Sequence, residues 1–520
     1  MTGGILQLVA YGIEDIFITK DPQITFFKIV YRRHTNFSTE PIPRFFIHNP
    51  DFGKRTTCII SKNGDLVGGM TLVLTLPKIK PFTTSLGEDT ITKIAWVKRI
   101  GYAIIKSIEV EINGRTIDRH FGEWLYLWTE IFGPKDRSID HMIGDIPEVT
   151  DFTNGKDAYT LFVPLKFWFC RSSGLALPLI SLQYSDVKIN LELNEQEECY
   201  IITPSHYINC EADLVNFAPY EYIEQTISDT DVRIGMFTHY DIVTKRLYYL
   251  KISPEKISGI PTSITKPSLA EKLEILADPA NKVYQIVGKT TNFIIMPGIN
   301  ETSKPHLHSD IRNLSIPECY LLVDYIYLDS DERLKFSQAK HDYIIEQLFQ
   351  TPDIVLQGAN RTTKMIVDQP CKLMVWVVQM DYIKNSNDHF NYTDTYQRKN
   401  DAKGRKMNTL GKSIVLEETI LLNGQERVSM RSFDYFNYVQ AHQYANFSPA
   451  IGINMYSYAF NPANILPSGS CNMSQIEKID TTLKLSFSVS ILNPAKFRGY
   501  SLSHNVLRIA NGLAAVIFTR

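Results

Sequence analysis

The sequence predicts an all-β protein built from two tandem copies of one antiparallel fold, with short helices and long loop insertions. Three observations carry this prediction: polar and apolar residues alternate at period two in both halves, Asn-Gly pairs separate strand-like runs, and the order of the runs repeats. At 520 residues, the chain also exceeds the roughly 250–300 at which a single hydrophobic core stops growing, so two large domains are expected.

Taken in order, Ile5, Leu8, Val9, Ile13, Ile16 and Phe17 recur at three- and four-residue spacing and predict an apolar stripe on a helical arm within residues 1–25. Gly3, Gly4 and Gly12 weaken that helix in isolation, so the stripe needs a partner, either the chain's own first domain or a neighbouring molecule. Met70, Leu72, Leu74 and Leu76 alternate with Thr71, Val73 and Thr75, and Ile108 to Ile112 alternates with Glu109 and Glu111 outside. Val187–Leu193 and Leu483–Val489 read the same way. Asn63-Gly64, Asn113-Gly114 and Asn423-Gly424 supply the positive φ angles of tight hairpins.

Helical spacing is scarce. Phe121, Trp124, Leu125, Trp128 and Phe132 predict one short helix, and Ile344, Ile345, Leu348 and Phe349 a second. In each half a strand precedes such a helix (Ile104–Ile112, then Tyr320–Leu328), and later an aromatic run, a loop with proline and an alternating strand follow (Phe167 to Leu193, Tyr456 to Val489). The polar stretch Ile223–Asp231 is the expected linker, dividing a first domain at 26–224 from a second at 225–520. Stretches at about 253–310 and 383–411 read as long loop insertions, the latter solvent-exposed because it has almost no aliphatic residues. A jelly roll tolerates insertions of this kind.

The net charge of −2 gives no bulk field for a polyanion, so no direct nucleic-acid binding is expected; the basic run Arg398, Lys399, Lys403, Arg405 and Lys406 reads as a solvated loop. Seven scattered cysteines without close spacing read as reduced, mostly buried thiols. No window has the length or apolarity of a transmembrane segment, and the N-terminus lacks a secretory pattern, so synthesis and assembly in the cytoplasm are expected.

The chemical motifs are incomplete. Gly411-Lys412-Ser413 resembles the end of a phosphate-binding loop, but position 406 is Lys where that loop needs its first glycine. His306-Leu307-His308 has no glutamate at 311–313 to complete a metal site. Asn-x-Ser/Thr sequons at Asn36, Asn300, Asn313, Asn360, Asn391, Asn446 and Asn472 are expected by chance in such a chain. No catalytic, cofactor-binding or metal-ligating residue is nominated, no cofactor is expected, and the protein is read as structural rather than enzymatic.

Longer motifs identify a relationship. Gly3-Gly4-Ile5-Leu6-Gln7-Leu8-Val9-Ala10-Tyr11-Gly12, Asp21-Pro22-Gln23-Ile24-Thr25-Phe26-Phe27-Lys28 and Tyr31-Arg32-Arg33-His34-Thr35-Asn36-Phe37 resemble the start of major capsid proteins of the large nucleocytoplasmic DNA viruses. Leu177 to Tyr184, Glu332-Arg333, Leu422 to Arg427, Tyr435-Phe436-Asn437 and Met455 to Phe460 continue the resemblance in order. It implies two eight-stranded antiparallel jelly rolls side by side, a homotrimeric pseudo-hexagonal capsomer tiling an icosahedral shell, and localisation to the virion. It also implies contacts with neighbouring capsomers and with minor or cement proteins, and an N-terminal arm at the inner base, with an inner viral membrane nearby. The competing expectations are a paralogous minor or vertex protein of the same fold, or a jelly-roll enzyme or carbohydrate-binding module.

Overall fold

The computed structural model describes the chain except for residues 1–4, 6–7, 11–18, 30, 85–86, 90, 135–137, 211, 227–231, 254–255, 259–284, 299–300, 307–310, 312–313, 396–410, 446–447, 492 and 519–520. Half of the N-terminal stripe, Ile13, Ile16 and Phe17, therefore lies outside the described residues, as do the basic run at 398–406 and much of the 253–310 stretch.

Eight strands build the first jelly roll: β1 Phe37–Phe45, β2 Arg55–Ile60, β3 Leu66–Leu76, β4 Ile105–Ile112, β5 Arg115–His120, β6 Tyr159–Pro164, β7 Val187–Leu193 and β8 Glu318–Leu328. They form one sheet in the order β1-β8-β3-β6, extended by Leu177–Pro178 on β3, and a second in the order β2-β7-β4-β5. The second jelly roll uses β9 His341–Gln350, β10 Asn360–Lys364, β11 Pro370–Met380, β12 Val415–Leu422, β13 Gln425–Ser432, β14 Ile453–Ser457, β15 Ile479–Leu485 and β16 Ala495–Ala510. Its sheets run β9-β16-β11-β14 and β10-β15-β12-β13. Each order equals the first roll's order shifted by eight, so the two halves share one topology.

Period two dictates which residues form each core. On β3 the alternate residues Met70, Leu72, Leu74 and Leu76 join the first core, while on β11 Met374, Trp376, Val378 and Met380 join the second. The Asn113-Gly114 and Asn423-Gly424 pairs both adopt positive φ and close the hairpins β4–β5 and β12–β13.

Several expectations are corrected. Asn63-Gly64 joins strands of different sheets and has no positive φ; glycine is required there because a Cβ at 64 would lie 2.9 Å from the Cβ of Tyr325. Residues 341–350 form β9 rather than a helix, and α2 occupies only Ser330–Gln338, capped by Asp329 and carrying Asp331 and Glu332 in its first turn. A short apolar run fits either period, and pairing along all of β9 with β16 decides it. Glu109 is buried beneath Arg55 and Arg119 instead of pointing into water. The final alternating run is strand only to Leu485.

The expected division at 225 also differs from the pairing. Tyr222–Thr226 is a strand hydrogen-bonded to Val232–Asp241, not a linker. Both belong to a seven-stranded sheet drawn from residues 206–305, with its own small core of Ile208, Phe217, Ile223, Leu247, Tyr249 and Ile286. This sheet is inserted between β7 and β8, and β8 then returns to fill the gap between β1 and β3. Three short strands, Ile286–Gly288, Ile294–Ile295 and Lys304–Pro305, therefore lie in a stretch expected to be loop. In the 383–411 stretch, Ile383, Asn391, Tyr392 and Thr393 are buried, contrary to the exposed loop expected there.

Candidate assembly surface and the junction between the two rolls

The two rolls meet on a buried, charged junction. Helix α1, Gly122–Phe132, follows β5 and buries Trp124, Leu125, Tyr126, Leu127, Trp128 and Ile131, because it is covered both by its own roll and by the second. Trp124 packs on Tyr500 at 5.7 Å between ring centroids, and Tyr126 on Phe390 at 4.5 Å. The residues Leu373, Val375, Val377, Ile453, Met455 and Leu502 of the second roll belong to the same apolar cluster as the first roll's core. This continuity gives the two rolls one shared core across the junction.

Charges lock that contact in one geometry. Glu123 on α1 accepts from Arg498 Nε and Nη2, both at 2.7 Å, from the Tyr500 hydroxyl at 2.5 Å and from the Tyr392 hydroxyl at 2.9 Å. Burial raises the carboxyl pKa, but the Arg498 charge and these hydrogen bonds outweigh it and hold the group below its usual value. A second knot joins Arg171 of the first roll to Glu346, which also pairs with Lys372; burial depresses the Lys372 ammonium to about 8 against the pull of Glu346. Asp118 accepts from the Leu348 amide at 3.0 Å, and Asp65 accepts from the Leu328 amide and from Arg333 of α2. Paired buried charges of this kind fix orientation more than they add stability.

The sequence did not single out these junction residues. Their signal was faint: single charges inside otherwise apolar runs, Glu123 in the aromatic helix and Arg498 and Lys372 in core strands.

The motifs weighed in the sequence have structural roles. Ser413 donates to the Val415 carbonyl and the Lys412 amide to Asp394, so these groups are committed within the loop. His306 is half-buried with its ring edge-on to Tyr248, while His308 lies outside the described residues. No group of three metal-ligating side chains occurs among the described residues. All seven cysteines are free, five of them buried. The Asn391 amide donates to Asp388 and Thr395 from a buried position, so that sequon is inaccessible in the folded chain. Among the described residues, no helix is long and apolar enough to cross a membrane.

The exposed surface is apolar in defined places. Ile24, Phe26, Phe27 and Tyr31 of the segment leading into the first roll are open to solvent, as are Phe37 and Phe45 on β1. Large apolar side chains exposed in this number are candidates for an interaction surface.

Comparison with known proteins agrees with this architecture. The model of the major capsid protein N-terminus matches residues 25–237, and that of the large eukaryotic DNA virus major capsid protein matches residues 332–515. The chain is 40% identical over 522 residues to probable capsid protein 4 of Acanthamoeba polyphaga mimivirus, covering 100% of this chain and 99% of that protein. It is 30% identical over 618 residues to the major capsid protein of Phaeocystis pouchetii virus, covering both completely. In fold it resembles the Faustovirus major capsid protein, with a TM-score of 0.63 at 10% identity over 96% of this chain and 94% of that one. It also resembles PBCV-1 VP54, with a TM-score of 0.61 at 21% identity over 95% of this chain and 100% of that one. Two jelly rolls of one topology and full-length similarity to viral coat proteins lead to one conclusion: the chain belongs to the double jelly-roll major capsid protein family of large eukaryotic DNA viruses and is a structural protein of the virion shell.

Proposed function

We propose that three copies of this chain form a homotrimeric, pseudo-hexagonal capsomer that tiles an icosahedral shell, with strands roughly perpendicular to the shell surface. The observation that carries this reading is the repeat of one eight-stranded topology within a chain whose two copies share a buried junction. Two like walls per chain give a threefold ring six like walls, and tiles of that shape pack edge to edge through one repeated contact. A rigid junction matters because a hinge between the rolls would blur the hexagon.

Neighbouring capsomers and minor or cement proteins are the partners this reading calls for, reached through the exposed apolar segment that leads into β1. Assembly takes place in the host cytoplasm, close to an inner viral membrane and without direct grip on the genome. The test is the mass of the purified protein by light scattering: about three times 59.5 kDa is expected, and a monomer at micromolar concentration refutes the capsomer. A paralogous capsid role is a second reading, favoured by the 40% identity to a probable capsid protein of a virus that also has a capsid protein 1, to which this chain is 28% identical. Abundance in purified particles distinguishes the two.

A further inference from the structure

The start of β11 brings together two cysteines that lie far apart in the sequence. The short strand Cys471–Asn472 pairs antiparallel with it, setting Pro370 opposite Asn472 and Cys371 opposite Cys471. Residues directly opposite on an antiparallel ladder project to the same face, with Cα atoms about 4.5–5.5 Å apart. A disulfide spans Cα separations of about 4.4–6.8 Å. Both side chains turn toward the second core, of which Cys371 is a fully buried member and against which the half-buried Cys471 packs.

No other two of the seven cysteines are placed in this way. Cys58 lies opposite Ile189, Cys319 opposite Leu74 and Cys210 opposite Pro297. Cys58 and Cys319 belong to the two facing sheets of the first roll, and facing sheets stand about 10 Å apart, too far for a bond. Cys170 and Cys199 lie at helical turns.

The same pair closes a loop over the junction. At one end the Tyr458 amide donates to the Lys372 carbonyl, and at the other the Met473 amide donates to the Gln369 carbonyl, both at 2.9 Å. Both ends of the loop therefore rest on the first residues of β11. Between them the Asn464 carbonyl accepts from the Lys372 ammonium at 3.0 Å, and Lys372 pairs with Glu346, the partner of Arg171 in the first roll. The loop thus covers the second charged knot between the rolls, while its Phe460 and Leu466 stay exposed.

We propose that Cys371 and Cys471 form a modification site, closing to a cross-strand disulfide that staples the 458–472 loop over the Lys372–Glu346–Arg171 knot in an oxidising medium. The oxidant is a small-molecule disulfide such as oxidised glutathione. Cys471, flanked by the exposed Ser470 and Asn472, is the thiol that meets it first. Burial pushes the Cys371 thiol up to about 12, so that group stays protonated and acts second. The Cys471 sulfur attacks one glutathione sulfur, the S–S bond of the oxidant breaks, and one glutathione leaves. The Cys371 sulfur then displaces the second glutathione from Cys471. The two departing glutathiones take up the two protons that the protein thiols lose, so two protein thiols are oxidised and one glutathione disulfide is reduced. Ladder Cβ spacing of about 4.5–5.5 Å must tighten to about 3.5–4.5 Å, and the two-residue strand, entered through Gly469 at positive φ, is the side that moves. The exchange runs backward in excess thiol, so the staple is open in a reducing compartment and closed outside it.

The wild-type chain, purified under reductant and then incubated with oxidised glutathione, tests this without any substitution. Titratable thiols in denaturant are expected to fall from seven by two, and unreduced peptide mapping to recover Cys371 linked to Cys471. Thermolysin cleavage at the exposed Leu466 should slow at least tenfold on oxidation and return with dithiothreitol. Cys371→Ser should stop at the mixed disulfide, with one glutathione held on Cys471, and Cys471→Ser should lose no thiol on oxidation. If Cys371→Ser fails to fold, the wild-type arms decide alone. A full thiol count after oxidation, glutathione retained on wild-type Cys471, or a different linked pair overturns the site. A Cys371–Cys471 bond that leaves the cleavage rate unchanged overturns its role as a staple.

Discussion

Removing Glu123 should damage the protein far more than losing one exposed carboxylate would. Glu123 and Arg498 lie between the rolls, with the arginine side chain only 4% exposed. Glu123→Ala removes the hydrogen-bonded counter-charge of that guanidinium and leaves it only Asp353, 3.9 Å away, which costs about 3–5 kcal/mol. The hydroxyls of Tyr392 and Tyr500 lose their acceptor as well, which places the effect toward the upper end. Spread over one roll of about 200 residues, such a loss lowers Tm by roughly 6–20 °C. Replacing both partners by apolar residues, Glu123→Leu with Arg498→Met, removes the charge and its penalty together and should recover most of the loss, to within about 1–2 kcal/mol of wild type. Scanning calorimetry at matched protein concentration reads both effects. The wild type should unfold with the rolls coupled, and Glu123→Ala should split the transition in two. A single transition within about 1 kcal/mol of wild type for Glu123→Ala would show that the junction does not couple the rolls.

Three further outcomes are expected. Glu418 is fully buried in the second roll with Trp376 Nε1 as its donor, and burial outweighs that bond to raise its pKa from 4.5 to about 8. The folded state then holds a proton that the unfolded chain releases above 4.5, so stability falls as pH rises from 4.5 to 8, by up to about 5 kcal/mol; urea midpoints across that range should flatten in Glu418→Gln, and an unchanged slope refutes the buried neutral acid. Excising 397–409 should leave soluble trimers, because that segment has few aliphatic residues to bury, whereas extending the deletion to Tyr392 and Asn391 should abolish them; gel filtration distinguishes these results. Deleting residues 2–20 should leave a trimer of nearly unchanged melting temperature that fails to assemble into shells, and a truncated chain that cannot fold would place the arm in the core instead.

Much of this protein was legible in one dimension because a strand's side-chain period is exactly encoded by alternation. Met70 to Leu76 and Val187 to Leu193 announce both their conformation and the face they bury, and Asn113-Gly114 and Asn423-Gly424 announce their turns, since only local φ angles are involved. The family was legible for a different reason: long contiguous motifs such as Asp21 to Lys28 resemble those of its relatives directly.

What the sequence left open were the long-range choices. The polar stretch at 223–231 looks like a linker because polarity cannot say whether a strand pairs beside it, and Glu318–Leu328 carries no mark of returning across more than a hundred residues to sit between β1 and β3. The spacing of Ile344, Ile345, Leu348 and Phe349 suits either a helix or a strand, and only pairing with β16 decides between them. Likewise Glu123, Arg171, Glu346, Lys372 and Arg498 are ordinary charges until folding brings residues up to 375 positions apart within hydrogen-bonding distance. Alternation is a property of neighbours along the chain and is written there; burial of a charge depends on what the rest of the chain brings against it, and only the tertiary structure determines that.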